Sequence, residues 1–312
     1  MRPSKVTDPK RMSAETTRSG FVALVGRPNA GKSTLTNAAV GSKIAITSDV
    51  PQTTRHRLRA IVDTDDAQMV IVDTPGLHKP HDALGEELNR SALKALEDVD
   101  VVAMLIDATQ PLGDGDKWVA KHVAKTRAKK ILIITKMDIA KGPQVERQLA
   151  YAKTLLPWDD EVVLSAVSGF NLEGFNAAVM RFLPEGPRWF PRDMPTDQPI
   201  EVMVAEFVRE KILRTTHDEV PHAIGVSIDE MKYDKKADLW RIFAIIYVER
   251  DSQKGIIIGK GGEALKAVGI DARQDLERLL GSKVFLNLSV KVKKDWRRDA
   301  SQIRRFGYGE GA

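Results

Sequence analysis

The chain has 312 residues, of which 42% are hydrophobic and 29% charged, a composition typical of a globular protein rather than a disordered one. It contains no cysteine, which excludes disulfides, thiolate metal sites and a cysteine nucleophile. Its apolar runs are too short to span a bilayer, and no apolar segment follows its basic N-terminus. We therefore expect a soluble, cytoplasmic protein, and the length allows two domains.

The charge, a formal net +5, is unevenly distributed along the chain. Residues 20–183 are balanced, with 20 basic and 20 acidic side chains, whereas residues 254–305 carry 13 basic and 6 acidic ones. We interpret the second region as a surface for a polyanion, with a solvated charged face as the alternative.

Five prolines between Pro184 and Pro199 are incompatible with a regular helix or a central strand. We interpret this segment as a linker that Trp189 and Phe190 pack against one of the domains. The predicted division is a basic disordered tail over residues 1–19, a first domain over 20–183, the linker over 184–199 and a second domain over 200–312.

In the first domain, short β-branched runs alternate with helical stretches. This rhythm predicts an α/β fold with an open, mostly parallel sheet, helices on both faces, and ligands at the carboxyl ends of the strands. The predicted strands are Phe21–Val25, Met69–Val72, Val101–Ile106, Ile131–Ile134 and Val162–Leu164, and the predicted helices are Lys32–Val40, Leu84–Leu96, Asp116–Thr126 and Val145–Leu155.

The segment Gly26-Arg-Pro-Asn-Ala-Gly-Lys-Ser33 matches the P-loop pattern between a strand and a helix. Its glycines let successive backbone N–H groups turn toward phosphate oxygens at the positive end of the helix. Lys32 supplies a charge to the outer phosphates, and the Ser33 hydroxyl is a magnesium ligand. The predicted phosphate-binding residues are Gly26, Asn29, Ala30, Gly31, Lys32, Ser33 and Thr34.

The tetrapeptide Asp73-Thr-Pro-Gly76 ends the next strong strand. A carboxylate at this strand end can hold Mg²⁺ through a water, and the Gly76 N–H can meet the γ-phosphate because no Cβ intervenes. A plain Pro-Gly turn is the alternative. The nucleotide site is therefore predicted to include Asp73, Thr74, Pro75 and Gly76.

A base site is predicted where Thr135-Lys-Met-Asp138 follows the strand Ile131–Ile134. An aspartate here accepts hydrogen bonds from guanine N1–H and its exocyclic amine, a donor pair that adenine lacks, and the Lys136 stem can lie across the base. The predicted base-binding residues are Thr135, Lys136, Met137, Asp138, Ser165, Ala166 and Val167.

Together these segments resemble the GTPase signature of translation-factor-related G proteins, which implies GTP or GDP and Mg²⁺ as cofactors. The guanine motif of that family usually begins with Asn. Thr135 keeps a hydroxyl but loses the amide donor, which predicts weaker base affinity. Within Thr47–His56 the resemblance implies a switch threonine, and we favour Thr54 over Thr53. The predicted metal ligands are Ser33, Thr54 and Asp73, and the predicted catalytic residues are Lys32, Thr54, Asp73 and Gly76.

Leu77 stands where many GTPases have a glutamine that orients the attacking water. The chain thus resembles a subgroup with a hydrophobic residue here, in parts of which a P-loop asparagine helps to hold K⁺. Asn29 is at the matching position, so we expect slow intrinsic hydrolysis that K⁺ stimulates. The alternative for Asn29 is a turn residue that satisfies loop backbone groups.

In the second domain, Gly259-Lys-Gly-Gly262 lies between an isoleucine-rich stretch and a predicted helix, Ala264–Leu280. A glycine loop next to an apolar groove accepts a sugar-phosphate backbone, and this arrangement resembles a KH domain. Strands are predicted over Val226–Ile228, Trp240–Val248 and Val284–Val292, and their order matches that of a type II KH domain. The first two are joined by a charged hairpin, Glu230–Asp238, within a solvated turn that begins at Asp229. The predicted RNA-binding residues are Ile258, Gly259, Lys260, Gly261, Gly262, Lys266, Lys291 and Lys293, and Lys294, Arg297 and Arg298 extend the basic edge.

The G domain, the linker and the KH segment together resemble the Era GTPases over about residues 20–308. The resemblance implies a monomeric, GTP-controlled switch whose KH domain binds the single-stranded 3′ end of small-subunit ribosomal RNA. It also implies a role in assembly of the small (30S) ribosomal subunit, a link to cell growth and peripheral association with the inner membrane. Two alternatives stay open: an RNA-dependent ATPase, which Asp138 disfavours, and a non-enzymatic RNA or membrane scaffold.

Overall fold

The computed structural model describes residues 17–77, 80 and 82–308. The predicted tail, residues 1–19, lies outside the described residues over positions 1–16, and the prediction of disorder is wrong for Arg18 and Ser19, which begin the first strand of the sheet. We also expect bound GTP and Mg²⁺ to order residues 74–81, of which positions 78, 79 and 81 lie outside the described residues. No helix within this described part of the chain is long and apolar enough to cross a membrane.

The first domain is built on a sheet to which six of the described strands contribute, in the order β2-β3-β1-β4-β5-β6. These strands are β1 (Arg18–Gly26), β2 (Leu58–Asp63), β3 (Ala67–Asp73), β4 (Val101–Asp107), β5 (Lys129–Thr135) and β6 (Asp160–Val163). All neighbours are parallel except β2, which pairs antiparallel with β3. The sequence analysis missed β2, because this short edge strand has no clear alternation of apolar and polar residues.

Helices cover both faces of this sheet, as predicted. They are α1 (Lys32–Val40), α2 (Ala83–Lys94), α3 (Asp114–Val123), α4 (Gly142–Lys153) and α5 (Leu172–Met180). Along the central strand, Val22 and Leu24 belong to one apolar cluster while Ala23 and Val25 belong to the cluster on the opposite face. Burial on both sides explains why the parallel strands have nearly continuous apolar sequences.

The first domain and the linker are joined at the edge formed by β2 and β3. The buried Gln68 side chain accepts the backbone N–H groups of Trp189 and Phe190 at 2.8 and 2.9 Å, and Arg188 pairs with Asp63 at 2.9 Å. The Trp189 ring contacts Phe21 with centroids 5.4 Å apart, although 62% of the residue stays exposed. This confirms that the two linker aromatics lie against a domain.

The second domain contains α6 (Ile200–Thr215), β7 (Gly225–Asp234), β8 (Leu239–Val248), α7 (Asp251–Ile258), α8 (Glu263–Leu280), β9 (Lys283–Val292) and α9 (Ala300–Arg305). Its sheet has the order β7-β8-β9, with β7 antiparallel and β9 parallel to β8. The helix and strand order from α6 to β9 is the type II KH order, of which the sequence predicts the three strands and α8.

Three features of this domain correct the sequence analysis. The predicted turn from Asp229 to Asp238 is wrong over its first half, because β7 passes a bulge after Ile228 and keeps pairing to Asp234. Helix α7 occupies the isoleucine-rich stretch, and α6 was not predicted. The buried residues of α6 surround the helix and include three consecutive charged ones, so the apolar stripe of a surface helix is absent from its sequence.

Candidate functional site

The P-loop connects β1 to α1 and is shaped by close backbone contacts. Gly26 has a φ of 155°, and a Cβ added there would lie 2.6 Å from the Leu105 carbonyl oxygen, so a side chain does not fit. Asn29 has a positive φ of 62°, and its Nδ2 donates to the Asp49 carbonyl at 2.6 Å. Asn29 therefore joins the P-loop to the predicted switch segment rather than satisfying its own loop.

Lys32 lies folded over the P-loop backbone. Its Nζ donates to the Arg27 carbonyl at 3.1 Å, and only 5% of the residue is exposed. Burial lowers the pKa of Lys32 to about 8, against which the charge of Asp73 acts. A buried ammonium with this environment is stabilised by any anion that enters the loop.

The three predicted metal ligands come together at the start of α1. The Ser33 and Thr54 hydroxyl oxygens are 2.7 Å apart, and Ser33 Oγ donates to Asp73 Oδ2 at 2.7 Å. Burial raises the pKa of Asp73 to about 6, and its Oδ1 is buried with no hydrogen-bond partner in the described part of the chain. Two hydroxyls and a carboxylate with an unsatisfied oxygen fit Mg²⁺, which prefers oxygen ligands.

The geometry also separates the two candidate switch threonines. Thr53 donates its hydroxyl to the Val50 carbonyl at 2.6 Å, whereas the Thr54 hydroxyl lies at Ser33. This arrangement favours Thr54, as the sequence analysis does.

Beyond β3, the residues of the Asp73–Gly76 motif take different positions. The Thr74 hydroxyl donates to the Leu24 carbonyl at 2.8 Å inside the sheet, while Gly76 lines the cavity beside the P-loop. Leu77 is 1% exposed and belongs to the apolar core, with its N–H donating to the Gly26 carbonyl at 3.2 Å. Its side chain is directed into the core and cannot orient a water.

At the other end of the site, the predicted base-binding residues are fixed by short polar contacts. Thr135 donates its hydroxyl to the Ala30 carbonyl at 2.9 Å, so it bridges β5 and the P-loop without the amide of an asparagine. The Ser165 hydroxyl donates to Asp138 Oδ1 at 2.6 Å, which orients this carboxylate. Lys136 pairs with Asp107 at 2.7 Å.

One cavity of about 590 Å³ connects these parts, a volume in the range of small-molecule sites. Of the predicted residues, it is lined by Asn29, Gly31, Lys32, Ser33, Thr34, Thr54, Gly76, Thr135, Lys136, Asp138, Ala166 and Val167. Ile46, Ile139 and Arg214 line it as well, and the sequence analysis missed them. Residues 47–49 also line it; they lie in the predicted switch interval but were assigned no role. Arg214 belongs to α6 of the second domain and carries no sequence signal for such a role.

The second domain also contacts the predicted switch segment directly. Glu210 accepts the Thr47 N–H at 3.0 Å, and Arg209 donates to the Thr53 carbonyl. Arg55 inserts into the second domain, where it donates to the Ile224 carbonyl at 2.5 Å and to the His222 carbonyl at 3.0 Å. Sequence reasoning quoted Arg55 within the switch segment but assigned it no role.

The G-x-x-G loop lies between α7 and α8. Gly259 has a φ of 71°, and a Cβ there would lie 2.7 Å from that of Ala264. Lys260 and Lys266 are exposed, as is Ile256 on the preceding helix. The loop thus offers backbone, positive charge and apolar surface together.

The predicted basic edge after β9 is only partly available to a ligand. Lys291 is exposed, and Lys293 is half-buried with its Nζ 5.9 Å from the Tyr247 ring centroid. Arg297 does not belong to a free basic edge as predicted, because it pairs with Glu249 at 2.8 Å and with Asp82 of the first domain at 3.3 Å. These carboxylates hold its charge in the contact between the domains.

Comparisons with known proteins match both domains. The family model described as 50S ribosome-binding GTPase matches residues 21–136, and the KH domain model matches residues 219–297. GTPase Era of Mycolicibacterium smegmatis is 47% identical over 295 residues, which are 93% of this chain and 99% of that protein.

Two solved structures are similar over nearly the whole chain. One is an Aquifex aeolicus Era variant bound to GDP and aluminium fluoride, with 38% identity, a TM-score of 0.90, and coverage of 94% of this chain and 100% of that one. The other is Era in complex with MgGDPNP and nucleotides 1506–1542 of 16S ribosomal RNA, with 38% identity, a TM-score of 0.90, and coverage of 94% and 99%.

Proposed function

Because the chain belongs to the Era family of GTPases, we propose that it is a GTP-controlled switch that binds the single-stranded 3′ end of small-subunit ribosomal RNA. Membership of this family makes the chain a GTPase with a P-loop domain followed by a KH domain. The alternative of a non-enzymatic scaffold is therefore excluded. The observation that carries the proposal is the cavity that connects Lys32 and Ser33 to Asp138.

We assign the phosphate chemistry to residues at the P-loop end of this cavity. Lys32 neutralises the outer phosphates, and the Gly76 N–H donates to the γ-phosphate. Ser33, Thr54 and Asp73 hold Mg²⁺, which supplies positive charge to the phosphate oxygens when bound. Phosphoryl transfer needs such positioning and charge stabilisation, and covalent catalysis by the protein is not required.

Guanine selection rests on Asp138, whose orientation by Ser165 supports the assignment. Competition of unlabelled GTP and ATP against a fluorescent GDP tests it. We expect GTP to compete and ATP to fail, whereas equal competition would favour the RNA-dependent ATPase.

RNA binding is assigned to the G-x-x-G loop with Lys260 and Lys266, and to Lys291 and Lys293. The Era complex with 16S ribosomal RNA nucleotides supports this proposal, since that relative covers almost all of the present chain. GTP hydrolysis measured with and without single-stranded RNA from the ribosomal 3′ end is the test. We expect the RNA to bind and to change the rate; an RNA that does neither would contradict the proposal.

Stimulation by K⁺ is a separate part of the proposal. The buried Leu77 cannot orient the attacking water, and Asn29 donates to the Asp49 carbonyl of the switch segment. Asn29 is therefore near the site where the charge of an additional cation would compensate for the missing water-orienting side chain. Hydrolysis in KCl is expected to exceed hydrolysis in NaCl at equal ionic strength. Equal turnover in the two salts would remove the K⁺ role and leave the GTPase assignment intact.

Family membership alone supports the role in 30S assembly and cell growth, the peripheral inner-membrane association and the monomeric state. The cytoplasmic location rests also on the composition, and the boundaries at residues 184 and 200 rest on the five prolines between them. Because β1 begins at Arg18, the boundary predicted at residue 20 moves to residue 18. Light scattering measures the oligomeric state, and sedimentation with anionic vesicles measures membrane association. Accumulation of immature small subunits after depletion of the protein tests the role in assembly.

A further inference from the structure

The second domain holds the switch segment at two points that flank Thr54. On one side, the fully buried Arg209 of α6 donates from Nη2 to the Thr53 carbonyl. On the other side, Arg55 is 2% exposed and donates to the Ile224 and His222 carbonyls. The backbone before Thr54 and the side chain after it are thus both anchored in the second domain, while the Thr54 hydroxyl stays at Ser33.

We propose that Arg209 is a positioning residue for GTP hydrolysis: by holding the Thr53 carbonyl it keeps the Thr54 hydroxyl at the magnesium site formed with Ser33 and Asp73. The inference rests on the proposed role of Thr54 as a metal ligand. It makes the docking of α6 a condition for a complete metal site, although Arg209 itself lies outside the cavity lining given by the described residues.

Arg209 is well suited to transmit position because its own side chain is fixed. Its guanidinium bonds Glu206 through Nε at 2.8 Å and through Nη2 at 2.5 Å, so the group that contacts Thr53 has little rotational freedom. Glu206 also lies 3.6 Å from His56 Nε2. The Glu206 carboxylate therefore contacts both Arg209 on α6 and His56, the residue that follows Arg55.

The electrostatics of this contact suit a reversible connection. Arg55 and Arg209 are both buried, and Arg55 Nε and Arg209 Nη1 have no hydrogen-bond partner among residues 17–77, 80 and 82–308. Burial and the neighbouring Arg209 charge lower the pKa of Arg55 to about 10. Glu206 compensates the charge of Arg209, whereas the hydrogen bonds of the Arg55 guanidinium to Ile224 and His222 are to backbone carbonyls. Burial of the Arg55 charge therefore offsets part of the energy of the docked state.

By linkage, a ligand that engages Thr54 strengthens the contact between the switch segment and α6, and loss of that contact lowers the affinity for the ligand by the same factor. If Arg209 had a purely structural role, its substitution would instead lower the stability of the protein and weaken binding of all nucleotides to the same degree. The two roles differ in Mg²⁺ dependence and in coupling to Thr54.

The test uses the full chain with Arg209→Gln, Arg209→Lys, Thr54→Ala and the double variant Arg209→Gln/Thr54→Ala. Arg147→Gln is the matched control, since Arg147 lies exposed on α4. Binding of a fluorescent, non-hydrolysable GTP analogue is titrated with Mg²⁺, and GDP affinity is measured without Mg²⁺. Hydrogen exchange over residues 47–57 reports the order of the switch segment without reference to activity.

We expect Arg209→Gln to raise the Mg²⁺ concentration for half-maximal analogue binding about tenfold, the size expected for loss of a charge-assisted hydrogen bond. GDP affinity should stay within about twofold, Arg209→Lys should recover part of the shift, and the substitution should add nothing in the Thr54→Ala background.

A full shift that persists without Thr54, or a shift no larger than that of Arg147→Gln, would overturn the inference. If Thr54→Ala shifts the Mg²⁺ titration and Arg209→Gln does not, positioning by Arg209 fails and the proposed function stands. If Thr54→Ala has no effect, the metal assignment fails and this inference fails with it. Should Arg209→Gln not fold, Arg209→Lys takes its place, with a smaller expected shift and the same refuting results.

Discussion

Gly76→Ala is expected to weaken GTP binding selectively, because the new methyl group meets the P-loop. A Cβ at Gly76 would lie 2.8 Å from Pro28 Cα and 2.9 Å from Pro28 N, distances at which backbone must move. The Gly76 φ is one that alanine can adopt, so the effect is steric rather than conformational. The P-loop is held by Thr135 and α1, and therefore the segment with Gly76 is the part that shifts.

The cost of such overpacking is about 1–3 kcal/mol, which corresponds to about a 5- to 150-fold change in an equilibrium constant. We expect that loss for a GTP analogue with Mg²⁺ and less than about threefold for GDP, which has no γ-phosphate to lose. Fluorescent nucleotide titrations give both constants, and single-turnover phosphate release gives the hydrolysis rate.

Gly113→Ala is the matched control, because no atom lies within 4 Å of the added Cβ. Equal losses for GDP and the GTP analogue would refute the assignment of Gly76 to the γ-phosphate. An unchanged GTP affinity would refute the predicted clash.

The remaining predictions concern the two ligand sites and the domain contact. Lys32→Ala should abolish phosphate release and leave RNA affinity in a gel-shift assay within about threefold, since the charge acts on the phosphates. Gly261→Asp should do the reverse, because aspartate tolerates the φ of 63° there while its charge repels the RNA backbone; unchanged RNA affinity would contradict the KH assignment. Thr135→Ala should speed GDP dissociation about 5- to 10-fold by removing the bond to the P-loop, and an unchanged rate would show that the bridge is dispensable. Burial opposes ionisation of Glu210, but its bonds with Lys43 and Thr47 outweigh this and hold its pKa below 4.5, so its stabilising effect is lost as the pH falls below that value; urea unfolding of Glu210→Gln should depend less on pH there.

Part of the fold follows from local patterns that need no knowledge of distant contacts. The strands around the P-loop are buried on both faces and have apolar sequences. The half of β7 that was missed is a strand because of its pairing with β8: Met231 and Tyr233 pair with Ile242 and Trp240, while Glu230 and Lys232, which alternate with them, are exposed. A pattern of this kind is common to loops and to edge strands, so it does not distinguish them.

The predicted site residues divide in the same way. The P-loop and Asp138 motif could be predicted, because binding phosphate or guanine requires particular residues at fixed spacing on one continuous segment. Thr54 was favoured but not separated from Thr53 until the hydroxyl contacts with Ser33 and Val50 were known.

Local sequence patterns are sufficient to predict the class of each domain, the nucleotide chemistry and the glycine loop of the second domain. The packing of the two domains is needed to show that α6 reaches the nucleotide cavity and that Arg55 and Arg209 anchor the switch segment. Thr53 and Arg209 are 156 residues apart in the chain, and a contact at that separation depends on how two domains pack. The charges of α6 carry no local periodicity that identifies their partners, so their roles follow from the packing alone.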